Sequence, residues 1–237
     1  MDLKYKRILL KLSGEALMGS QKSGLDAAVL ENYAKQVKEI SDLGVDVGIV
    51  IGGGNIFRGA EGLTKGFSRV SGDYMGMLAT VINGIALREF INQAGAKATV
   101  LTAVEMGPVA LRYSRTLSEN LLSQRNILIF TFGTGNPFFT TDTAAALRAV
   151  EINADALFKG TRVDGVYTAD PEKDPAAKKY ESISFEEAYN KGLKIMDLTA
   201  FTMCRENKLP IIVFDMNKKG NLRMIIEGRQ TGTLIHV

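Results

Sequence analysis

The chain has 237 residues, 46% apolar and 23% charged, with a formal charge of +3, a size that suits one large domain or two small ones with a substantial core. No stretch reaches the roughly 18 consecutive apolar residues of a membrane span, and the opening MDLKYKRILLKLSGE has no signal-peptide cleavage region, so a soluble, cytoplasmic protein is expected. The basic residues are too scattered to argue for nucleic-acid binding, and the lone Cys204 and lone His236 argue against a disulfide, a cysteine or histidine metal cluster and a Ser-His-Asp device.

Taken in chain order, RILLKL (7–12) predicts a first strand. Residues 26–43 follow as a helix, with Asp26 as its N-cap and Gly44 as its stop. VDVGIVI (45–51) is a second strand, then a helix over 72–94, a strand KATVLT (97–102) and a helix over 114–124. ILIFTF (127–132), a helix over 141–152 and ALFK (156–159) continue the pattern, and helices over 184–191 and 199–207 precede a last strand, IIVF (211–214). Short buried strands alternating with helices predict a three-layer α/β/α sandwich with a mostly parallel central sheet, whose ligands sit beyond the carboxyl ends of the strands. The polar turn region 169–179 is the one weak boundary candidate, so a single unit over residues 1–237 is expected, with one half for each of two ligands.

Four loops at predicted strand ends share a character: KLSGE (11–15), GGGNIFRG (52–59), FGTGNPFFTTD (132–142) and KGTRVDGVYTADP (159–171). Glycine there lets backbone N–H groups approach an anion, and neighbouring Ser or Thr adds donors, which together make a phosphate cradle. The named motifs fail, since a Walker A loop needs lysine where Ala60 stands and a dinucleotide fingerprint needs glycine where Phe57 stands. Lys11 puts a charge near the end of an apolar strand and calls for an anionic partner or a route to water. Arg58 beside Gly52, Gly53 and Gly54 reads as a phosphate clamp. Asp73 and Asp142 each read equally as a helix cap or as a functional carboxylate. Cys204, in the apolar LTAFTMCREN run, reads as a buried structural thiol.

With one histidine next to the C-terminus, the chemistry runs on lysine, arginine, carboxylate and backbone. A phosphoryl acceptor that is itself a phosphate, largely dianionic at pH 7 with a second pKa near about 6, needs no base; it needs cations to hold two polyanions in line.

KLSGEAL, GGGNIFRG, GDYMGMLAT (72–80), GTGNPFFTTDTAA (133–145), VDGVYTADP (163–171), MDLTAF (196–201) and LPIIVFDMN (209–217) together resemble the bacterial UMP kinases of the amino acid kinase superfamily over essentially the whole chain. The resemblance implies the amino acid kinase fold and transfer of the γ-phosphoryl of ATP, with Mg²⁺, to UMP. It places Lys11, Leu12, Ser13, Gly14, Gly54 and Arg58 on ATP phosphates and Thr161, Tyr167 and Asp170 on adenosine. It places Gly53, Asp73, Thr134, Gly135, Asn136, Pro137, Phe138, Phe139, Thr140 and Thr141 on UMP, with Asp73 on the ribose hydroxyls and Asp142 orienting the cations; Lys11, Arg58 and Asp142 are the catalytic candidates. Arg58 and Lys159 compete for the role of second cation. A homohexamer with GTP as activator and UTP as inhibitor is implied, and Gly19, Ser20, Gln21, Lys22, Ser23 and Gly24 match in position a region tied to GTP. Asp197 reads first as the cap of the next helix and second as a site residue. The alternatives are another kinase of the superfamily and a nucleotide-binding regulatory protein without turnover; a Rossmann oxidoreductase is disfavoured by Phe57.

Overall fold

A computed structural model describes residues 3–58, 66–171 and 173–237; Gly59 of the GGGNIFRG motif and Glu172 of the polar turn lie outside them. Strand β1 (Arg7–Leu12) leads through a 3-10 turn (Gly14–Met18) to helix α1 (Ala27–Asp42), β2 (Asp46–Ile51) and the long helix α2 (Arg69–Gln93). Then come β3 (Ala98–Thr102), β4 (Leu111–Arg112), α3 (Arg115–Ser123), β5 (Ile127–Thr131), α4 (Thr141–Glu151) and β6 (Ala156–Thr161). The chain closes with β7 (Ser182–Ser184), α5 (Phe185–Asn190), α6 (Leu198–Glu206), β8 (Ile211–Asp215), α7 (Asn221–Ile226) and β9 (Thr233–His236).

The strands form one sheet of nine in the order β4-β3-β5-β2-β1-β6-β8-β9-β7. It is parallel throughout except where β9 runs against β8, which is the mostly parallel sheet expected. The short β4, β7 and β9, helix α7 and the 3-10 turn are additions to the pattern read from the sequence. They are too brief, or too mixed in polarity, to leave a periodic trace.

Alternation along β1 separates the two faces. Ile8, Leu10 and Leu12 pack with Val37 of α1, Leu87 of α2 and Ile225 of α7. Leu9 packs on the other face with Ala145 and Ala149 of α4 and with Ala200 and Cys204 of α6. Each such leucine or isoleucine, wholly removed from water, contributes about 1.5–3 kcal/mol. The small side chains of α4 let that helix lie close on the sheet, which brings its first turn over the end of β1. Cys204 is fully buried in this layer, and burial pushes its thiol up to about 12.

Capping explains where the helices begin. Asp26 accepts from the N–H groups of Ala28 and Val29 and starts α1, as the sequence predicts. Helix α2 starts earlier than expected because Ser68 accepts from Ser71 N, and α4 starts on Thr140, whose hydroxyl accepts from Asp142 N and Thr143 N. Neither Asp73 nor Asp142 is therefore a cap, which removes one of the two readings left open for each. Among the described residues no helix is long and apolar enough to cross a membrane.

Candidate active site

The four glycine- or threonine-rich loops leave β1, β2, β5 and β6, which are consecutive in the sheet as β5-β2-β1-β6 and mutually parallel. Their ends thus meet at one edge, where the chain order reverses around β1, the position at which open α/β sheets bind ligands. In the register of β1 and β6, Lys11 lies opposite Lys159, so both ammonium groups emerge on the α4 face. Asp142, in the first turn of α4, bridges them: Oδ1 is 2.8 Å from Lys11 Nζ and Oδ2 is 2.8 Å from Lys159 Nζ, with all three side chains 14–15% exposed. Lys159 also donates to Ile195 O at 2.5 Å.

Burial alone pushes the Asp142 carboxyl up, but attraction and hydrogen bonds from Lys11 and Lys159 outweigh it and hold it below the ordinary aspartate range. Lys159 is pulled below the ordinary lysine value, chiefly by burial; Asp142 opposes that shift and repulsion from Lys11 adds to it. Both directions have one origin, a single carboxylate shared by two cations. The cluster carries an excess positive charge in a partly desolvated place, a standing attraction for an anion.

The glycines of the first two loops serve each other first. A Cβ on Gly14 would lie 2.4 Å from Gly52 O, and one on Gly53 would lie 2.6 Å from Gly76 O and 2.8 Å from Ala79 Cβ. Close approach of loop to loop, and of loop to α2, is thus the immediate reason for glycine there. Behind them Asn55 and Asn83, 2% and 0% exposed, form a closed amide pair with donor distances of 3.0 and 2.7 Å in the two directions. Asn83 also donates to Gly52 O at 2.6 Å and Asn55 to Gly24 O at 2.8 Å, while Gly24 N donates to Asn55 O at 2.9 Å. The Gly19–Gly24 segment is therefore tied at one end to the glycine loop.

Two groups of clefts flank the lysine bridge. One, of about 350 Å³, is lined by Gly53, Gly54, Arg58, Asp73, Phe139, Thr140 and Thr141. On the other side a cleft of about 310 Å³ takes in Lys11, Ser13, Lys159 and Thr161, and one of about 640 Å³ takes in Lys159, Thr161, Tyr167 and Asp170. Glu15 lines both the first cleft and the second and pairs with Arg58 at 2.7 Å. Leu12 is 1% exposed, so its side chain is closed to a ligand. Thr134, Gly135, Asn136, Pro137 and Phe138 lie outside the wall of the first cleft; Phe138 N nonetheless donates to Asp73 Oδ2 at 2.8 Å, which ties their loop to α2.

Two contributors escape a reading of the sequence, and a third is only half read. Arg69 donates from Nε to both oxygens of Asp73, but an arginine at a helix start looks like a solvated residue. Asn83 sits unmarked inside a helical pattern. Asp197 does cap α6 through Ala200 N at 2.9 Å, yet it also accepts from the hydroxyls of Thr140 and Thr143, so one carboxylate joins the starts of α4 and α6. The sequence offered the cap first and the site second, and the side chain does both.

Partly buried cations on a shared carboxylate, between clefts walled by glycine loops, are equipment for holding two anionic groups together, as phosphoryl transfer requires. The chain belongs to the amino acid kinase family, whose model matches residues 6–215. A uridylate kinase of Parabacteroides distasonis is 59% identical over 232 residues, covering 98% of each chain. Another, of Klebsiella pneumoniae, is 54% identical over 231 residues, covering 98% of this chain and 96% of its own. Among solved structures, the UMP kinase of Bacillus anthracis superposes with a TM-score of 0.95 at 38% identity, over 98% of this chain and 96% of that one. The uridylate kinase of Archaeoglobus fulgidus gives 0.73 at 28% identity, over 96% and 99%.

Proposed function

We propose that the chain, acting as a single unit, transfers the γ-phosphoryl group of ATP to UMP and releases ADP and UDP. The observation that carries this reading is the Lys11–Asp142–Lys159 bridge where the clefts meet; the uridylate kinases at 54–59% identity support the choice of acceptor.

Adenosine lies along Thr161, Tyr167 and Asp170, and its phosphates run past Ser13, the backbone of Leu12 and Gly14, and Gly54 towards Lys11. UMP occupies the cleft of Gly53, Asp73 and the 134–141 loop, with its phosphate at the glycine loop, and Arg58, on the wall of the same cleft, meets the ATP phosphates where the two nucleotides approach each other. An oxygen of that phosphate attacks the γ-phosphorus, the bond to the β,γ-bridging oxygen breaks, and ADP leaves with the electron pair. No proton need be removed from a dianionic acceptor. Lys11 and Lys159 meet the charge spread over the transferring group, and Asp142 holds them in place.

Mg²⁺ fits this donor set as an ion carried by ATP, since such an ion takes most of its ligands from phosphate oxygens and water and needs only one or two carboxylates. Glu15 is a carboxylate that faces both clefts and could supply one such ligand. When bound, the ion neutralises phosphate charge. The same reading includes a homohexamer activated by GTP and inhibited by UTP. The tie between Gly24 and Asn55 gives the Gly19–Gly24 segment a route to the glycine loop.

The test is ADP production from MgATP by the purified protein with UMP, CMP, dUMP, AMP, N-acetylglutamate, aspartate or carbamate, each with and without GTP. Turnover centred on UMP is expected. Turnover on an amino acid or carbamate would discard the acceptor half of the reading, and nucleotide binding without turnover would replace the enzyme with a regulatory protein.

A further inference from the structure

Arg69 stands on the wall of the acceptor cleft without a task in the reaction just described. Its Nε donates to Asp73 Oδ1 at 2.9 Å and Oδ2 at 2.8 Å, and its guanidinium carbon lies 5.9 Å from the centre of the Phe138 ring. The two residues are one turn apart on α2, so the helix itself fixes the spacing. Asp73 also accepts from Phe138 N, and Phe138 holds a φ of +73°, a conformation that is costly for a bulky residue and needs such an anchor. Arg69, Asp73 and Phe138 thus form one unit that joins the start of α2 to the acceptor loop.

The electrostatics give that unit a purpose. A carboxylate is an apt acceptor for the two hydroxyls of a ribose, yet Asp73 shares its cleft with Gly53, Gly54 and Arg58, where an acceptor phosphate must also fit. Two negative groups in one cleft oppose each other. A guanidinium directed at both carboxylate oxygens cancels the charge of Asp73 and fixes its plane, while free acceptor capacity remains on the oxygens.

We propose that Arg69 is a positioning residue for the acceptor nucleotide. Through Asp73 it sets the affinity for UMP and the preference for a ribose over a deoxyribose. The inference rests on the UMP kinase reading and deepens it.

The experiment compares the parent with Arg69→Met and Arg69→Lys in steady-state assays with UMP and dUMP, varying ATP separately, and follows folding by thermal melting. In Arg69→Met, KM for UMP is expected to rise on the order of 10-fold, the effect of losing a charge-assisted pair. KM for ATP should stay within about twofold of the parent, and the preference for UMP over dUMP should narrow, because an untethered Asp73 no longer rewards the 2′-hydroxyl. Arg69→Lys keeps the charge but not the planar group whose Nε–H is shared between the two oxygens, and should show the same split at roughly threefold; it carries the test alone if Arg69→Met is unfolded at the assay temperature. An unchanged KM for UMP in a folded variant, or equal rises for UMP and ATP, would overturn the inference while leaving the UMP kinase reading intact. A parent that does not phosphorylate UMP would overturn both.

Discussion

Lys11, Asp142 and Lys159 are coupled, because one carboxylate serves two ammonium groups. Lys11→Ala should lower kcat on the order of 10²-fold in a folded protein, the scale of losing one group that meets transition-state charge; near-normal turnover would remove Lys11 from the chemistry. The sequence left Arg58 and Lys159 as rivals for the second cation, and position separates them. The Lys159 side chain is 14% exposed and lies beside Lys11, whereas that of Arg58 is 47% exposed and paired with Glu15. Lys159→Met is therefore expected to act on kcat and Arg58→Met chiefly on KM, and the opposite pattern would reverse the assignment. Asp142 adds a pH signature. Its folded carboxyl titrates below the ordinary 3.8, so its contribution to stability is present above that value and is lost as pH falls through the lower folded one. Asp142→Asn lacks the contribution at every pH. The gap in melting temperature between parent and variant should be widest near neutrality and shrink in acid, and a gap that grew in acid would contradict the direction assigned to Asp142.

At the scale of elements, the glycine loop is held from behind as well as opened in front. The Asn55–Asn83 pair uses both donors of each amide within the protein, and such fully paired buried networks fix one geometry. Asn83→Ala leaves Gly52 O without that donor and removes two of the three hydrogen bonds of the Asn55 amide, one given and one accepted; three buried groups losing a partner should cost about 3 kcal/mol or more at roughly 1–3 per group. Urea denaturation at fixed protein concentration should show the midpoint falling with the slope unchanged; an unmoved midpoint would mean that water or a rotated Asn55 replaces the pair. The contrast shows what a sequence discloses. The lone charge of Lys11 in an apolar strand announced a partner, and four loops at strand ends announced a shared edge. The partner, Asp142, was already a candidate, but the facing of Lys11 and Lys159 depends on non-local strand register. Asn83 and Arg69 left no trace because a polar residue in a helical run looks alike whether it meets water or a buried loop. Asp73 and Asp142 looked like caps because carboxylates are common near helix starts; only the hydroxyls of Ser68 and Thr140 decided the matter.

For the whole molecule, strand order carries most of the functional meaning. Because β2 and β5 lie to one side of β1 and β6 and β8 to the other, the clefts proposed for the acceptor and for ATP fall on opposite sides of Lys11, an arrangement that no single loop encodes. Helix α2, which walls the proposed acceptor cleft with Asp73 and Met77, is apolar on more than its core side. Met77, Val81, Leu87 and Ile91 are buried, while Val70, Tyr74, Leu78 and Ile82 stand 41–49% exposed. These four recur at every fourth residue and so form a stripe three turns long, more than the scattered apolar exposure of an ordinary surface. We propose that this stripe meets its own copy across a two-fold axis, which needs no second specialised surface, and that three such pairs, joined by a further contact, form the hexamer. The double variant Leu78→Glu with Ile82→Glu would place like charges at the centre of that contact. Light scattering should then give the parent six times the 25.8 kDa chain mass and the variant fewer than six chains. A variant that stays hexameric would move the contact to another face, and a parent of one chain would leave the stripe without the partner argued for it.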